Sequence, residues 1–208
     1  MGLLEQLARH RRVAGVSAPE LALRVGTHAS NIYAIESGRR DARLSTVEAL
    51  VAATDARLLI VDTGRRASAA DTAETLRRDL DDAHRAQALV QLSSNLKSVG
   101  PLAKAALTTD PPLPLAPTWD AAIAGIVEHE LTRSGLPSPA WVSDVQGLPD
   151  GRWDPWTAGR LFPDADRVPE PLRRRGVWID EAELVSACAA TRRRSGWNER
   201  MLFEASAS

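Results

Sequence analysis

The segment from Ser17 to Arg40, SAPELALRVGTHASNIYAIESGRR, constrains the fold more than any other part of the chain. Apolar residues recur at helical spacing on both sides of Gly26, which predicts two short amphipathic helices joined by a tight turn. Ser17 and Glu20 have the spacing of a capping box, so the first helix should begin directly after Ser17. Gly26 should end that helix, because glycine readily adopts the left-handed conformation that closes many helices. The chain should therefore begin with a compact, mainly α-helical domain.

The second of these helices, beginning at Thr27 or His28, has an outward face without charged residues. Its side chains there are small or hydrogen-bonding: Ala29, Ser30, Asn31, Tyr33 and Ala34. A slim helix with such a face can enter the major groove of DNA and form hydrogen bonds with base edges. This helix is therefore predicted to contact DNA.

Four short motifs follow one another in the first 50 residues. They are RRVAG at 11–15, ELA at 20–22, IESGRR at 35–40 and LSTVEAL at 44–50. In this order they resemble the helix-turn-helix domain of the lambda Cro and repressor (Xre) family, over about residues 3–62. The resemblance implies four to five helices, a DNA-binding role, and an ion pair between Arg11 and Glu36. Ala18 and Ala29 stand where many relatives have glutamine, so no base preference is implied.

The predicted DNA contacts fall into two groups. Ser30, Asn31 and Tyr33 should reach base edges, whereas the arginines that follow should contact phosphates. Residues 1–66 hold ten arginines and seven acidic residues, although the whole chain has a net charge of −1. This local basic excess suits a module that contacts the DNA backbone. The full predicted set is Ser17, His28, Ala29, Ser30, Asn31, Tyr33, Arg39, Arg40 and Arg43.

A short apolar, partly β-branched run at 57–62, RLLIVD, predicts a strand. A lone strand leaves backbone groups unpaired, so it needs a partner. Pairing across a two-fold axis would give a homodimer with two recognition helices for a palindromic operator in double-stranded DNA. The alternative is pairing with the C-terminal part of the same chain; we favour the dimer.

The remainder of the chain is predicted as two further parts. Asp71 and Glu74 form a second capping-box pattern, which should open a long helix to about Val99, with a short helix after Gly100-Pro101. The proline-rich segment 110–117 is a boundary. Beyond it, a helix capped by Thr118, a strand near 173–179 and a last helix after Asp180 predict a small α+β domain. The predicted domains are 1–66, 67–117 and 118–208.

All six tryptophans lie beyond residue 118. Each can serve the core or anchor a protein interface, since tryptophan supplies large apolar area to both. Trp153 and Trp156, in the loop RWDPW, are the strongest interface candidates, and Trp141 is a third. The motifs PAW at 139–141 and RRGVWIDEAEL at 174–184 resemble actinobacterial regulators encoded beside nucleotidyltransferase-like toxins. That resemblance implies an antitoxin that represses its operon and neutralises a toxin.

No catalytic, metal or cofactor site is predicted. His10, His28, His84 and His129 share no ligand spacing, and Cys188 is the only cysteine. A serine–lysine peptidase pair, which some repressors of this family carry, is not expected around Lys97 or Lys104. Without a signal peptide or an apolar span, the protein is expected in the cytoplasm and not in a membrane.

Three functions therefore compete: a repressor with a protein partner such as a toxin, a regulator with a small-molecule sensor, and an enzyme tethered to DNA. The third is least favoured because no catalytic residues are predicted. The arginine clusters 173–175 and 192–194 are either solvated or in contact with DNA or an acidic partner.

Overall fold

The computed structural model describes residues 3–78, 81–148, 151–156 and 162–184. The chain divides into two compact units, Met1–Ile60 (unit 1) and Val61–Ser208 (unit 2). The described residues contain ten α-helices and no sheet, so the mainly helical fold predicted from the sequence is confirmed. Within this described part, none of the helices has the length and apolar character that crossing a membrane requires.

Unit 1 consists of four short helices around one apolar core. Leu21 and Ile32 from the second and third helices are completely buried there, and Leu50 from the fourth is 1% exposed. Leu7 of the first helix packs in the same core. The helices are α1 (Leu3–Val13), α2 (Ala18–Val25), α3 (Ala29–Glu36) and α4 (Leu44–Ala52).

The ends of α2 agree with the sequence pattern, except for one half of the capping box. Ser17 Oγ accepts a hydrogen bond from the Glu20 backbone N–H at 3.2 Å, and Gly26 closes the helix with φ +69°. The Glu20 carboxylate contacts Arg24 one turn later instead of reaching back to Ser17. Ser17 thus fixes the start of α2, and Gly26 fixes the turn between α2 and α3.

The strand predicted at 57–62 is not supported. These residues form neither helix nor β-ladder in the described chain. A strand is stabilised by hydrogen bonds to a neighbouring strand, and the described residues supply none. Leu59 is 64% exposed and Ile60 is fully exposed. The segment therefore places apolar side chains in solvent at the end of unit 1.

Unit 2 begins with two helices where the sequence predicted one. The first starts at Ala69, because Ser68 and Asp71 form a complete capping box three residues before the expected one. Asp81 caps a separate helix, so the apolar stripe continues across a break. The helices of unit 2 are α5 (Ala69–Leu76), α6 (Asp82–Lys97), α7 (Pro101–Thr109), α8 (Pro117–Thr132), α9 (Ala140–Asp144) and α10 (Glu170–Arg173).

Helix α8 is the centre of unit 2. It begins at Pro117, with Ala116 and not Thr118 at the capping position, and its residues 121–127 are buried. A Cβ on Gly125 would lie 2.6 Å from Leu172, so glycine permits the close approach of α10. Helices from 67–117 and residues after 118 share one core around α8.

The α+β character predicted for the C-terminal part is not supported. In the described residues, the only β-type pairing is a single bridge between Trp153 and Val177. The Trp153 N–H donates to the Gly176 carbonyl, and the Trp178 N–H donates to the Trp153 carbonyl. Residues 181–184 form a turn after Asp180. The rest of the predicted last helix and the arginine cluster at 192–194 lie outside the described residues.

The stability of unit 2 is expected to depend on pH because of His129 on α8. Burial lowers the pKa of its imidazole below the ordinary value of 6.5. The unfolded chain therefore binds a proton at His129 at higher pH than the folded chain does, so the free energy of unfolding should fall as pH drops below 6.5. His129→Gln should weaken this loss. Urea unfolding at about pH 7.5 and 5.5, followed by tryptophan fluorescence, would measure it; equal losses in both proteins would contradict the assignment.

Candidate nucleic-acid interface

Helix α3 is positioned by its buried face. Ile32 is completely buried and Ile35 is 5% exposed, and both pack in the core of unit 1. His28 occupies the capping position of α3 but makes no side-chain cap hydrogen bond. Because the apolar face is fixed against α2 and α1, the opposite face of α3 is held outward.

The predicted DNA-binding residues mostly lie at the surface of unit 1. Tyr33 is 51% exposed, whereas Ala29 and Asn31 are half-buried. The exposed members of the set are Ser17, His28, Ser30, Tyr33, Arg39, Arg40 and Arg43. Ser17 caps α2 and Arg43 precedes α4. The exposed face of α3 together with the arginines that follow it is called the α3 surface below.

Asn31 links the α3 surface to the loop after it. Its Nδ2 donates to Thr27 Oγ1 at 3.0 Å, and its Oδ1 accepts from Arg40 Nη1 at 2.7 Å. Arg39 Nε donates to Ser37 Oγ at 2.9 Å. Both ends of the Asn31 amide are therefore engaged within unit 1, and the amide orients the Arg40 guanidinium.

A bidentate ion pair fixes the end of α3 to α1. Arg11 donates from Nε and Nη2 to the two carboxylate oxygens of Glu36 at 2.6 and 2.8 Å. Its Nη1 donates to the Val16 carbonyl at 2.8 Å. Both side chains are 9% exposed, and the hydrogen bonds with Glu36 raise the pKa of Arg11 above its ordinary value. The structure thus brings together the two residues whose pairing the sequence resemblance implied.

Residues 3–58 match the model of a helix-turn-helix domain family. The matched residues run from α1 through α4, and the match supports a Cro/Xre-like, DNA-binding transcriptional regulator. No curated protein and no solved structure matches the chain. The recognition helix of a helix-turn-helix domain is the second helix of the motif, and α3 has this position after α2.

Outside the helix-turn-helix domain, the three tryptophans predicted to bind a partner lie against the core of unit 2. Trp141 is 9% exposed, and its indole N–H donates to the Thr108 carbonyl at 2.9 Å. Trp153 packs edge-on against Trp119, with ring centroids 4.8 Å apart. Trp156 is partly buried against the same core. All three therefore contribute to packing within unit 2.

The two lysines of the chain also meet in unit 2, both at Glu130. Lys97 Nζ lies 3.4 Å from the Glu130 carboxylate, and Lys104 Nζ donates to the Glu130 carbonyl at 3.3 Å. Lys104 also donates to Ser134 Oγ at 2.6 Å, while the Ser134 hydroxyl donates to the Glu130 carbonyl. The contacts of Lys104 and Ser134 satisfy one carbonyl group, that of Glu130, near the end of α8. The Lys104–Ser134 pair therefore lies at the end of α8.

Proposed function

We propose that the protein is a sequence-specific transcriptional repressor that inserts α3 into the major groove of its operator. The observation that carries the proposal is the α3 surface. It combines an uncharged, hydrogen-bonding helix face with exposed arginines, on a domain held by a buried ion pair. Such a surface can contact base edges through the helix and phosphates through the arginines. Selection of bound fragments from random duplex DNA would test it; binding without sequence preference would refute the operator function.

We propose that Arg40 contacts a phosphate and that Asn31 affects binding through Arg40. Arg40→Ala should weaken binding to operator and random DNA alike and reduce the slope of affinity against salt by about 1, because one phosphate contact is lost. Asn31→Ala should have the same pattern and a smaller effect, because it releases the Arg40 guanidinium. The double variant should bind as Arg40→Ala does.

Filter binding or fluorescence anisotropy against both DNAs at several salt concentrations would measure these effects. A selective loss of about 1–3 kcal/mol on the operator for Asn31→Ala would instead make Asn31 a direct base contact, as the sequence predicted.

We further propose that the repressor binds a palindromic operator as a homodimer. The supporting observation is the exposure of Leu59 and Ile60 in the segment 57–62, which follows α4 near the end of unit 1. Two such segments could pair about a two-fold axis and bury these side chains. Ile60→Asp should therefore convert dimer to monomer in analytical ultracentrifugation. Val13→Asp adds the same charge at another exposed apolar residue and should leave the dimer intact. An unchanged dimer in Ile60→Asp would locate the interface elsewhere.

We propose that unit 2 binds and neutralises a toxin encoded in the same operon. Its support is the resemblance of 139–141 and 174–184 to regulators paired with nucleotidyltransferase-like toxins. Trp153 and Trp156 keep part of their surface exposed, although both pack on the core. Co-expression with the product of a neighbouring gene should rescue growth and yield a complex, whereas residues 1–66 alone should not rescue. A harmless neighbouring product would refute the antitoxin role and leave the repressor proposal standing.

A second candidate function for unit 2 is the binding of a small molecule that alters operator affinity. The observation that favours it is a cavity of about 470 Å³ beside α8. Binding sites for small ligands have volumes of roughly 300–1,000 Å³ and mainly apolar walls. The cavity has both properties.

A further inference from the structure

The cavity beside α8, called the proline pocket, has one wall made by the segment that joins α7 to α8. Pro111, Pro112, Pro114 and Pro117 line this wall, and Trp141 faces the same cavity. Proline rings and an indole present flat, rigid apolar surfaces. Aromatic and compact aliphatic groups pack well between such surfaces.

Three hydrogen bonds hold the walls of the proline pocket in place. Arg77 Nη2 donates to the Pro114 carbonyl at 2.8 Å, and the Leu115 N–H donates to the Asp120 carboxylate at 3.0 Å. The indole N–H of Trp141 donates to the Thr108 carbonyl. The pocket is therefore preformed, which reduces the ordering cost of binding.

A close backbone contact holds the remaining wall. A Cβ on Gly147 would lie 2.5 Å from Arg175 Cα, so glycine allows the residues after α9 to approach the turn that follows α10. The Leu148 N–H donates to the Arg175 carbonyl at 3.0 Å, and the Arg175 guanidinium donates to the Val142 carbonyl at 2.9 Å. The close approach and these two hydrogen bonds therefore hold this wall in place as well.

The charges that line the proline pocket are all negative. Asp120 and Asp144 contribute carboxylates, and its lining contains no lysine, arginine or histidine. Burial raises the pKa of Asp120 above its ordinary value, so its ionised carboxylate is poorly solvated and gains from a nearby cation. The hydrogen bond from the Leu115 N–H and the charge of Arg77 lower the pKa of Asp120 by smaller amounts, and the Arg77 guanidinium is itself held by the Pro114 carbonyl and lies 3.7 Å from Glu74.

We propose that the proline pocket binds a small molecule with an aromatic or compact apolar body and one protonated amine. The apolar body lies between the prolines and Trp141, and the ammonium group contacts Asp144 and Asp120. Bound there, the molecule acts as an effector of the repressor. The effector role rests on the second candidate function above, whereas the binding site does not.

Three probes of the same size separate the parts of this proposal: 2-phenylethylamine, 2-phenylethanol and phenylacetate. Ligand-observed NMR with the full chain gives binding, and titration gives relative dissociation constants. The amine should bind about three- to tenfold more tightly than the alcohol, because its charge faces carboxylates, and the acid should bind most weakly. Equal binding of all three would overturn recognition of the amine, and binding of none would overturn the site.

Two variants and one control variant test where the probe binds. Asp144→Asn should remove most of the preference for amine over alcohol, whereas Asp166→Asn, at an exposed acid outside the pocket lining, should retain it. Val145→Trp should fill the cavity and abolish binding of amine and alcohol, with melting temperature confirming a folded chain. Unchanged amine binding in Val145→Trp would overturn the location.

Operator binding in the presence of saturating 2-phenylethylamine tests the effector role. A change in operator affinity that is absent in Val145→Trp supports it. Amine binding with unaltered operator affinity overturns the effector role, while the repressor proposal stands on DNA binding without amine.

Discussion

Glu36→Ala should lower the free energy of unfolding of residues 1–66 by about 3 kcal/mol, because it leaves the Arg11 guanidinium buried without its anion. Both side chains of the pair are 9% exposed, so water replaces the lost contact poorly. In a domain of this size, such a loss corresponds to a fall of more than about 10 °C in melting temperature. Thermal and urea unfolding followed by circular dichroism would measure it.

The matched control is Glu20→Ala, which removes an exposed carboxylate–arginine contact within α2. Glu20 and Arg24 are 46% and 39% exposed and lie 2.6 Å apart. Loss of an exposed pair of this kind costs about 0.3–0.5 kcal/mol. Equal melting temperatures for Glu36→Ala and Glu20→Ala would show that the Arg11–Glu36 pair contributes no more than a surface contact.

Ser30→Glu should reduce operator affinity at least about thirtyfold, roughly 2 kcal/mol, without changing the stability of the fold. Ser30 is exposed on the recognition helix, so the new carboxylate meets solvent in the free protein. In the complex it would face the negatively charged groove of DNA. Anisotropy titration with labelled operator, beside a thermal melt, would separate the two effects.

Ala52→Glu supplies the control for this charge change. Ala52 is exposed on α4 and lies outside the α3 surface, so the same added carboxylate should alter affinity only slightly through net charge. If both variants bound the operator like the parent chain, α3 would not be the recognition helix.

The sequence predicted the helix-turn-helix domain well because its signals are local. The serine that caps α2 and the glycine that ends it are nine residues apart, and each acts on the backbone next to it. The Asn31–Arg40 contact could not be predicted in this way. It joins a helix to the following loop through side-chain conformations that periodicity does not specify.

Unit 2 shows where local patterns are ambiguous. Ser68-x-x-Asp71 and Asp71-x-x-Glu74 both fit a helix start, and complete burial of Ala69 and Ala73 in the shared core favours the earlier one.

The predicted strand at 57–62 failed for a different reason. An apolar, β-branched run shows a preference for extended structure, but a strand also needs a neighbouring strand, and the described residues of the chain supply none.

The prolines that line the pocket also limit what else can bind there. Proline has no backbone N–H, so the segment 111–117 offers few donors to an extended peptide. Peptides that add as an extra strand depend on such donors for much of their affinity. Unit 2 can thus keep an apolar cavity open to solvent without presenting an edge on which other copies of the chain could stack into aggregates.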